Sequence, residues 1–244
     1  MASRKQTQIA ERETAILDIA GRILAREGMA ALTMERVLAE VDFSKGTLYN
    51  HFRCREDLLI AWHARCFRQH FELFARGALF RGRPRERFLA VGIGDEIKHA
   101  LDPVPAAIVM TEEILAGASE HWRETFVANL REGAGLFEGI VRDGIASGDL
   151  SPEHDPEIVA SAAWSVWVGA RELHHAGMIL RGRPAEEFAT IRGRMVAILL
   201  DGFGWKPLST EHDYDAVRRR ILEEVYRPEA TQLGWLPGDD SANS

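Results

Sequence analysis

Between Asp42 and Arg53 the chain reads DFSKGTLYNHFR, which gathers Lys45, Gly46, Thr47, Tyr49, Asn50 and His51 into one short segment. An ammonium, hydroxyls, a carboxamide and an imidazole this close together have little to bury and much to donate. The chemistry they suit is non-covalent. They can form hydrogen bonds to anionic oxygens and to base edges, beside a glycine that lets another surface come close.

Elsewhere the conspicuous side chains are aromatic. Trp122 and Phe126, then Trp164 and Trp167, stand at helical spacing, and in WSVWVGARELHHAGM one face carries Trp167, Ala170 and His174 while another carries Val168, Arg171 and His175. Such stripes serve a core or a subunit contact, or else a ligand pocket. The pocket candidates are Met110, Trp122, Phe126, Trp164, Trp167 and His174. A filled core around Met110, Trp122 and Phe126 would instead favour control by a protein partner. Adjacent His174 and His175 point about 100° apart, and Cys54 and Cys66 lack partners at zinc spacing, so no metal is expected. There is no glycine-rich phosphate loop, nucleophile elbow or HExxH, and Glu112 and Glu113 diverge on a helix. No catalytic residue, no cofactor and no enzyme activity are expected.

The elements that must hold the 42–53 segment are helices. Ile16, Ile19, Ala20, Ile23 and Leu24 repeat at helical spacing within residues 9–27, and Gly28 follows as a stop. Thr33 is an N-cap for a second helix burying Met34, Val37, Leu38 and Val41, ending near Val41. Asp42 is suited to the left-handed region, and Ser44 caps a third helix. Leu48 and Phe52 are its large apolar pair and must face the first two helices, which turns Gly46 and Asn50 outward. Two short helices joined by a tight turn, the second with a free outer face, form a helix-turn-helix over residues 33–52. Lys45 and Arg55 supply charge there, and Thr47 and Asn50 can reach base edges.

Downstream, a long helix begins near Cys54, RGRPRER at 81–87 reads as a loop into another, and LDPVP at 101–105 is a break. Further helices are expected near 106–117, 120–146, 155–177 and 184–202, with Asp155 and Pro156 as a start signal. Residues 205–244 offer one more amphipathic helix, with Val217, Ile221 and Val225 inward and the RRR triplet solvated, then a frayed tail. The expected fold is all-α, an N-terminal helix-turn-helix three-helix domain followed by a larger helical domain.

SKGTLYNHF followed by REDLL, with a capped helix and a glycine-terminated helix upstream, resembles the DNA-binding domain of the TetR family of bacterial transcriptional regulators. The resemblance covers residues 10–70. It implies a homodimer that binds a palindromic double-stranded DNA operator and is released by a small-molecule effector, held in a ligand-binding and dimerisation domain over 71–204. It implies DNA contacts at Thr33, Lys45, Thr47, Tyr49 and His51, with Arg55 keeping the charge of a family lysine, and a four-helix-bundle interface from the last two long helices. Ala160, Ala163 and Gly169 would allow close approach there, and Val196, Leu199 and Leu200 would supply apolar area. Leu38, Val41, Asp42 and Phe43 depart from the family pattern.

Composition fits this reading. The 244 residues are 46% hydrophobic and 27% charged, with a net charge of −7. Residues 1–57 are neutral, with nine Lys or Arg against nine Asp or Glu, so the acidity lies wholly downstream. A neutral segment binds DNA when its cations share one face, because the phosphate field decays over roughly 8–10 Å. No apolar run approaches the roughly 20 residues of a membrane span, and the start lacks a signal-peptide core, so a cytoplasmic location and no membrane partner are expected.

Overall fold

The computed structural model describes residues 4–101 and 110–237, and the regular structure among them is helical throughout. α1 (Arg4–Glu27) ends at Gly28, whose φ of 81° an L side chain rarely adopts. After a 3-10 turn, the Thr33 hydroxyl accepts the Arg36 N–H at 3.1 Å and starts α2 (Met34–Leu38). α2 stops before the expected Val41. Asp42 does not enter the left-handed region, since among described non-glycine residues only Leu180 has positive φ. Ser44 then accepts the Thr47 N–H at 3.3 Å and starts α3 (Lys45–His51).

The chain continues through α4 (Arg55–Ala78), α5 (Pro84–Leu101), α6 (Glu112–Gly117), α7 (Glu120–Ala146), α8 (Pro156–His175), α9 (Ala185–Gly202), α10 (Tyr214–Glu224) and α11 (Arg227–Gln232). α5 starts inside the segment expected as a loop, because Pro84 fits a first helical position. Thr111 caps α6, and Asp155 caps α8 by accepting the Glu157 N–H at 2.9 Å. Residues 106–109, where a helix was expected, and most of the 101–105 break lie outside the described residues, as does the tail from 238.

Two compact units divide the chain, the boundaries falling after Arg68 in α4 and after Leu130 in α7. The first unit holds α1–α3, the start of α4, α6 and the start of α7. Its core joins Ile16, Ile23, Val37, Leu48, Phe52, Leu58 and Leu59 with Ile114, Ala118 and Phe126. Leu48 and Phe52 are 0% and 1% exposed, so the pair that must anchor α3 does so, each side chain contributing about 1.5–3 kcal/mol by burial. Leu38, Val41 and Phe43, bulkier than the family pattern, are partly buried against this core.

The second unit has two clusters around α5. One joins Phe88 and Val91 to Phe74, Phe137, Val159, Ala163, Trp167 and Val196. The other sets Ala90, Ile93 and Ile97 against Val217, Ile221, Tyr226 and Ala230 of the C-terminal helices. Residues 214–236 therefore pack as part of this unit. The Tyr226 hydroxyl reaches the Leu73 and Ala90 carbonyls at 2.7 and 3.1 Å, and Arg76 forks onto Glu229 at 2.5 and 3.1 Å. Within the RRR triplet, Arg218 approaches buried Glu96 at 2.7 Å, so it is a partner to a core acid and not simply a solvated charge.

Candidate functional site

In the first unit the outer face of α3 is built as its spacing requires. Lys45, Gly46 and Asn50 are exposed, and Thr47, Tyr49 and His51 are half-buried along the flanks. Lys45 Nζ lies 5.4 Å from the centre of the Tyr49 ring, one turn on, which holds the ammonium over an aromatic face. The Thr47 hydroxyl is 3.1 Å from Ser44 Oγ, so the cap also orients Thr47. A Cβ built on Gly46 would meet no protein atom closer than Ser44 Oγ at 3.9 Å. Packing within the chain does not explain this glycine.

Two of the eight residues expected at DNA have structural duties. The Thr33 oxygen is occupied as the α2 cap, although its O–H can still donate. Arg55 donates to the Leu32 carbonyl at 2.7 Å and the Met29 carbonyl at 2.8 Å, pinning the 3-10 turn to the start of α4. These donors are spent on the chain's own backbone. The junction after α3 is also fastened to the α6–α7 junction of the same unit. Asp57, 1% exposed, accepts the Arg53 N–H at 3.2 Å and the Ser119 N–H at 2.7 Å, and Phe52 packs on Trp122 with ring centres 5.8 Å apart.

The six pocket candidates do not come together. Met110, Trp122 and Phe126 join the core of the first unit, Met110 and Trp122 partly buried and Phe126 5.3 Å from the His63 ring. The helical stripe is real, and its partner is the core of the helix-turn-helix unit. Trp164 and Trp167 belong to the second unit and line a cleft of about 280 Å³, open solvent at its mouth included. Its other walls include Phe74, Phe88, Val91, Gly92, Phe137 and Ala163. His174 is stacked on Phe188 at 4.0 Å and is not among the lining residues. A Cβ on Gly92 would fall 2.3 Å from the Trp167 ring, so only glycine lets that indole lie against α5.

One lining residue is charged. Asp95, 2% exposed, accepts the Trp167 indole N–H at 2.6 Å, and stands 3.3 Å from Arg192 Nη1 and 3.5 Å from Arg171 Nη1. Burial alone would push its carboxyl up, but His99, Arg192 and Arg171 bring it below the ordinary carboxylate range. Next to it, burial pushes the Glu96 carboxyl up against the pull of Arg218. The His99 ring bonds the Asp95 carbonyl through Nδ1 at 2.8 Å and meets Arg171 at Nε2, 2.7 Å away. Arg171 can only donate, so Nε2 accepts and the proton sits on Nδ1. Burial accordingly holds the His99 pKa below its usual value.

His70, Asp95 and His99 bring one ligand atom each within 4.8 Å of one another, a grouping that the sequence reading did not anticipate. Asp95 and His99 stand one turn apart on α5, but His70, Arg171 and Arg192 come from distant parts of the chain, and only the acids inside the apolar stretch FLAVGIGDEIKHAL hint at a buried partner set.

Comparison with known proteins agrees with this construction. Residues 16–62, which span α1 to the start of α4, match the family model for bacterial regulatory proteins of the tetR family. The transcriptional regulator AcuR of Cereibacter sphaeroides is 28% identical over 192 residues, covering 70% of this chain and 78% of the relative. The HTH-type transcriptional repressor KstR2 of Rhodococcus jostii is 22% identical over 197 residues, covering 78% and 90%. Among solved structures, FadR of Bacillus subtilis in complex with stearoyl-CoA shares the fold with a TM-score of 0.62 at 17% identity, covering 78% of this chain and 98% of that one. With its capped helix-turn-helix and its outward α3, the chain carries over residues 16–62 the DNA-binding domain of the tetR family, and these relatives support a TetR-family transcriptional regulator.

Proposed function

We propose that the protein is a homodimeric repressor that binds a palindromic operator through α3 and is released when a small molecule enters the cleft beside Trp164 and Trp167. The observation that carries the DNA half is the exposed Lys45, Gly46 and Asn50 face with open space over Gly46. The family's repressor KstR2 and the stearoyl-CoA complex of FadR support the sign and the ligand response. Lys45 positions the helix on phosphate, Thr47, Tyr49 and His51 flank it, and Asn50 reads base edges. The Asp57–Ser119 bond and the Phe52–Trp122 contact tie the end of α3 to the α6–α7 junction, giving a local route by which a shift in those helices moves the DNA-reading face.

Dimerisation through α8 and α9 is supported by Ile158, Leu173 and Ile198, which are 61%, 41% and 70% exposed. The face differs from the one expected from spacing. Ala160, Ala163, Val196 and Leu200 are at most 5% exposed and fill the protein's own core, whereas Gly169 keeps open space around its α-carbon. The filled core at Met110, Trp122 and Phe126 favours the second reading, control by a protein partner.

The test is binding to a duplex enriched from a random library by the protein itself. Lys45→Ala and Tyr49→Ala should each weaken binding, and Lys45→Ala should lower the salt slope by about one unit. Sedimentation should give twice 27.3 kDa. Wild-type affinity in both variants, or a strict monomer, would refute the reading, and release by a purified protein but by no small molecule would favour the second one.

A further inference from the structure

The chemistry of the cleft in the second unit points to a class of ligand. Its walls are almost wholly hydrocarbon: Phe74, Phe137 and Trp164 pack with ring centres 5.3–6.2 Å apart, and Asp95 supplies the one charged lining group. The roughly 280 Å³ between these walls includes open solvent at the mouth, and the enclosed part has room for little more than a water molecule, so a ligand enters as the rings part and its body is small and apolar.

The charge of the head follows from what surrounds Asp95. A cation, whether an ammonium or a metal ion, would approach two guanidiniums already within 3.5 Å of the same carboxylate. A metal on His70, Asp95 and His99 would also have to displace Arg171 from His99 Nε2, a contact of 2.7 Å. An uncharged donor gains little, because both Asp95 oxygens already face Trp167, Arg192, Arg171 and His99. An anion gains most. Arg192 is 3% exposed, and its Nε–H has no acceptor, an orphaned donor on a buried cation. Arg171's second acid, Glu172, meets its Nε at 3.1 Å and is partly solvated, and Glu96, which also acts on Arg192, is paired with Arg218 at 2.7 Å. At closest range two guanidiniums therefore face one carboxylate, with a neutral imidazole beside them.

We propose that this cleft binds a small carboxylate with an apolar body, whose carboxylate shares Arg192 and Arg171 with Asp95 while its body lies among Phe74, Phe137 and Trp164. Arg192 lies over the Trp167 ring at 4.6 Å, so the head reaches it by a shift of that indole, which makes tryptophan fluorescence a direct reporter. The inference rests on the reading of this unit as the effector domain, and it adds the chemistry of the effector.

The experiment measures binding of matched series by calorimetry and tryptophan fluorescence. The probes are benzoate, benzyl alcohol and benzylamine, and butyrate, hexanoate and octanoate with their alcohols and amines. At least one carboxylate should bind about tenfold or more tightly than its alcohol, and its amine should not bind. Arg192→Met should erase that preference. Should Arg192→Met fail to fold, Asp95→Asn serves as the second variant. It removes the resident anion, so it should bind the carboxylate about tenfold more tightly and be stabilised by it more than wild type. Tighter binding of an amine or alcohol, no binding in any series, weaker carboxylate binding by Asp95→Asn, or stoichiometric Zn2+ binding lost in His99→Ala would each overturn the proposal. Carboxylate binding that leaves the DNA complex intact would uphold the site and refute the effector reading. DNA release by a cation or neutral compound alone would do the reverse.

Discussion

Replacing Gly46 by alanine should move stability and DNA binding in opposite directions. Gly46 is the second residue of a seven-residue helix and is exposed, and an added Cβ would find its nearest neighbour 3.9 Å away. Alanine there loses less backbone entropy on folding, which is worth about 0.5–1 kcal/mol in a helix interior and about the lower figure near its start. For a chain of this size that is a rise of roughly 1–2 °C in melting temperature. At the DNA the same methyl group stands where the backbone would meet the phosphates. Pushing α3 outward by about 1 Å stretches the bonds made by Lys45 and Thr47, and losing one charge-assisted bond at about 1.5–3 kcal/mol weakens binding tenfold or more. Thermal melts and fluorescence anisotropy on an enriched duplex at fixed salt read both quantities. A stabilised variant that binds within twofold of wild type would show that α3 does not meet DNA at this point. A destabilised variant would show that the glycine serves the fold after all.

Three further outcomes follow from named contacts. Tyr226→Phe removes the hydroxyl shared by the Leu73 and Ala90 carbonyls and should cost about 1–2 kcal/mol in urea denaturation. Burial raises the folded pKa of Tyr226, so its contribution is full below the unfolded tyrosine value of about 10 and is lost above it; the variant should lack that alkaline loss. Burial lowers the folded pKa of His99, so its contribution is present above about 6.5 and fades as pH falls below that; His99→Gln should flatten the change in urea midpoint between about pH 7.5 and 5.5. Ile198→Glu puts a charge on a side chain that is 70% exposed, so it should leave the monomer folded by circular dichroism while reducing sedimentation to 27.3 kDa; an intact dimer would relocate the interface.

The helix-turn-helix was legible because its signals are local. Thr33 and Ser44 cap by bonds three residues long, and Leu48 and Phe52 are the only large apolar pair in their segment. The turn between them was read less well, since Asp42 makes it without a left-handed residue. Arg55 shows the limit of residue type, because a guanidinium suited to phosphate is equally suited to the Leu32 and Met29 carbonyls. For Met110, Trp122 and Phe126 the spacing leaves core and pocket both open, and the core is what the structure shows, as periodicity tells which side is buried and not against what. The set formed by Asp95, Arg171 and Arg192 depends on contacts across more than seventy residues, which no spacing rule reports.

α5 is buried along almost its whole length, with Phe88, Val91 and Asp95 on one side and Ala90, Ile93 and Ile97 pressed under Ile221 and Tyr226 on the other. A substitution on it disturbs two cores at once. Trp164, by contrast, lines the same cleft while 40% exposed. The cleft therefore has a conservative wall and a permissive one. Lineages that acquire new effectors should do so by changing the side of Trp164 first, with α5 inherited almost intact beneath its C-terminal cover.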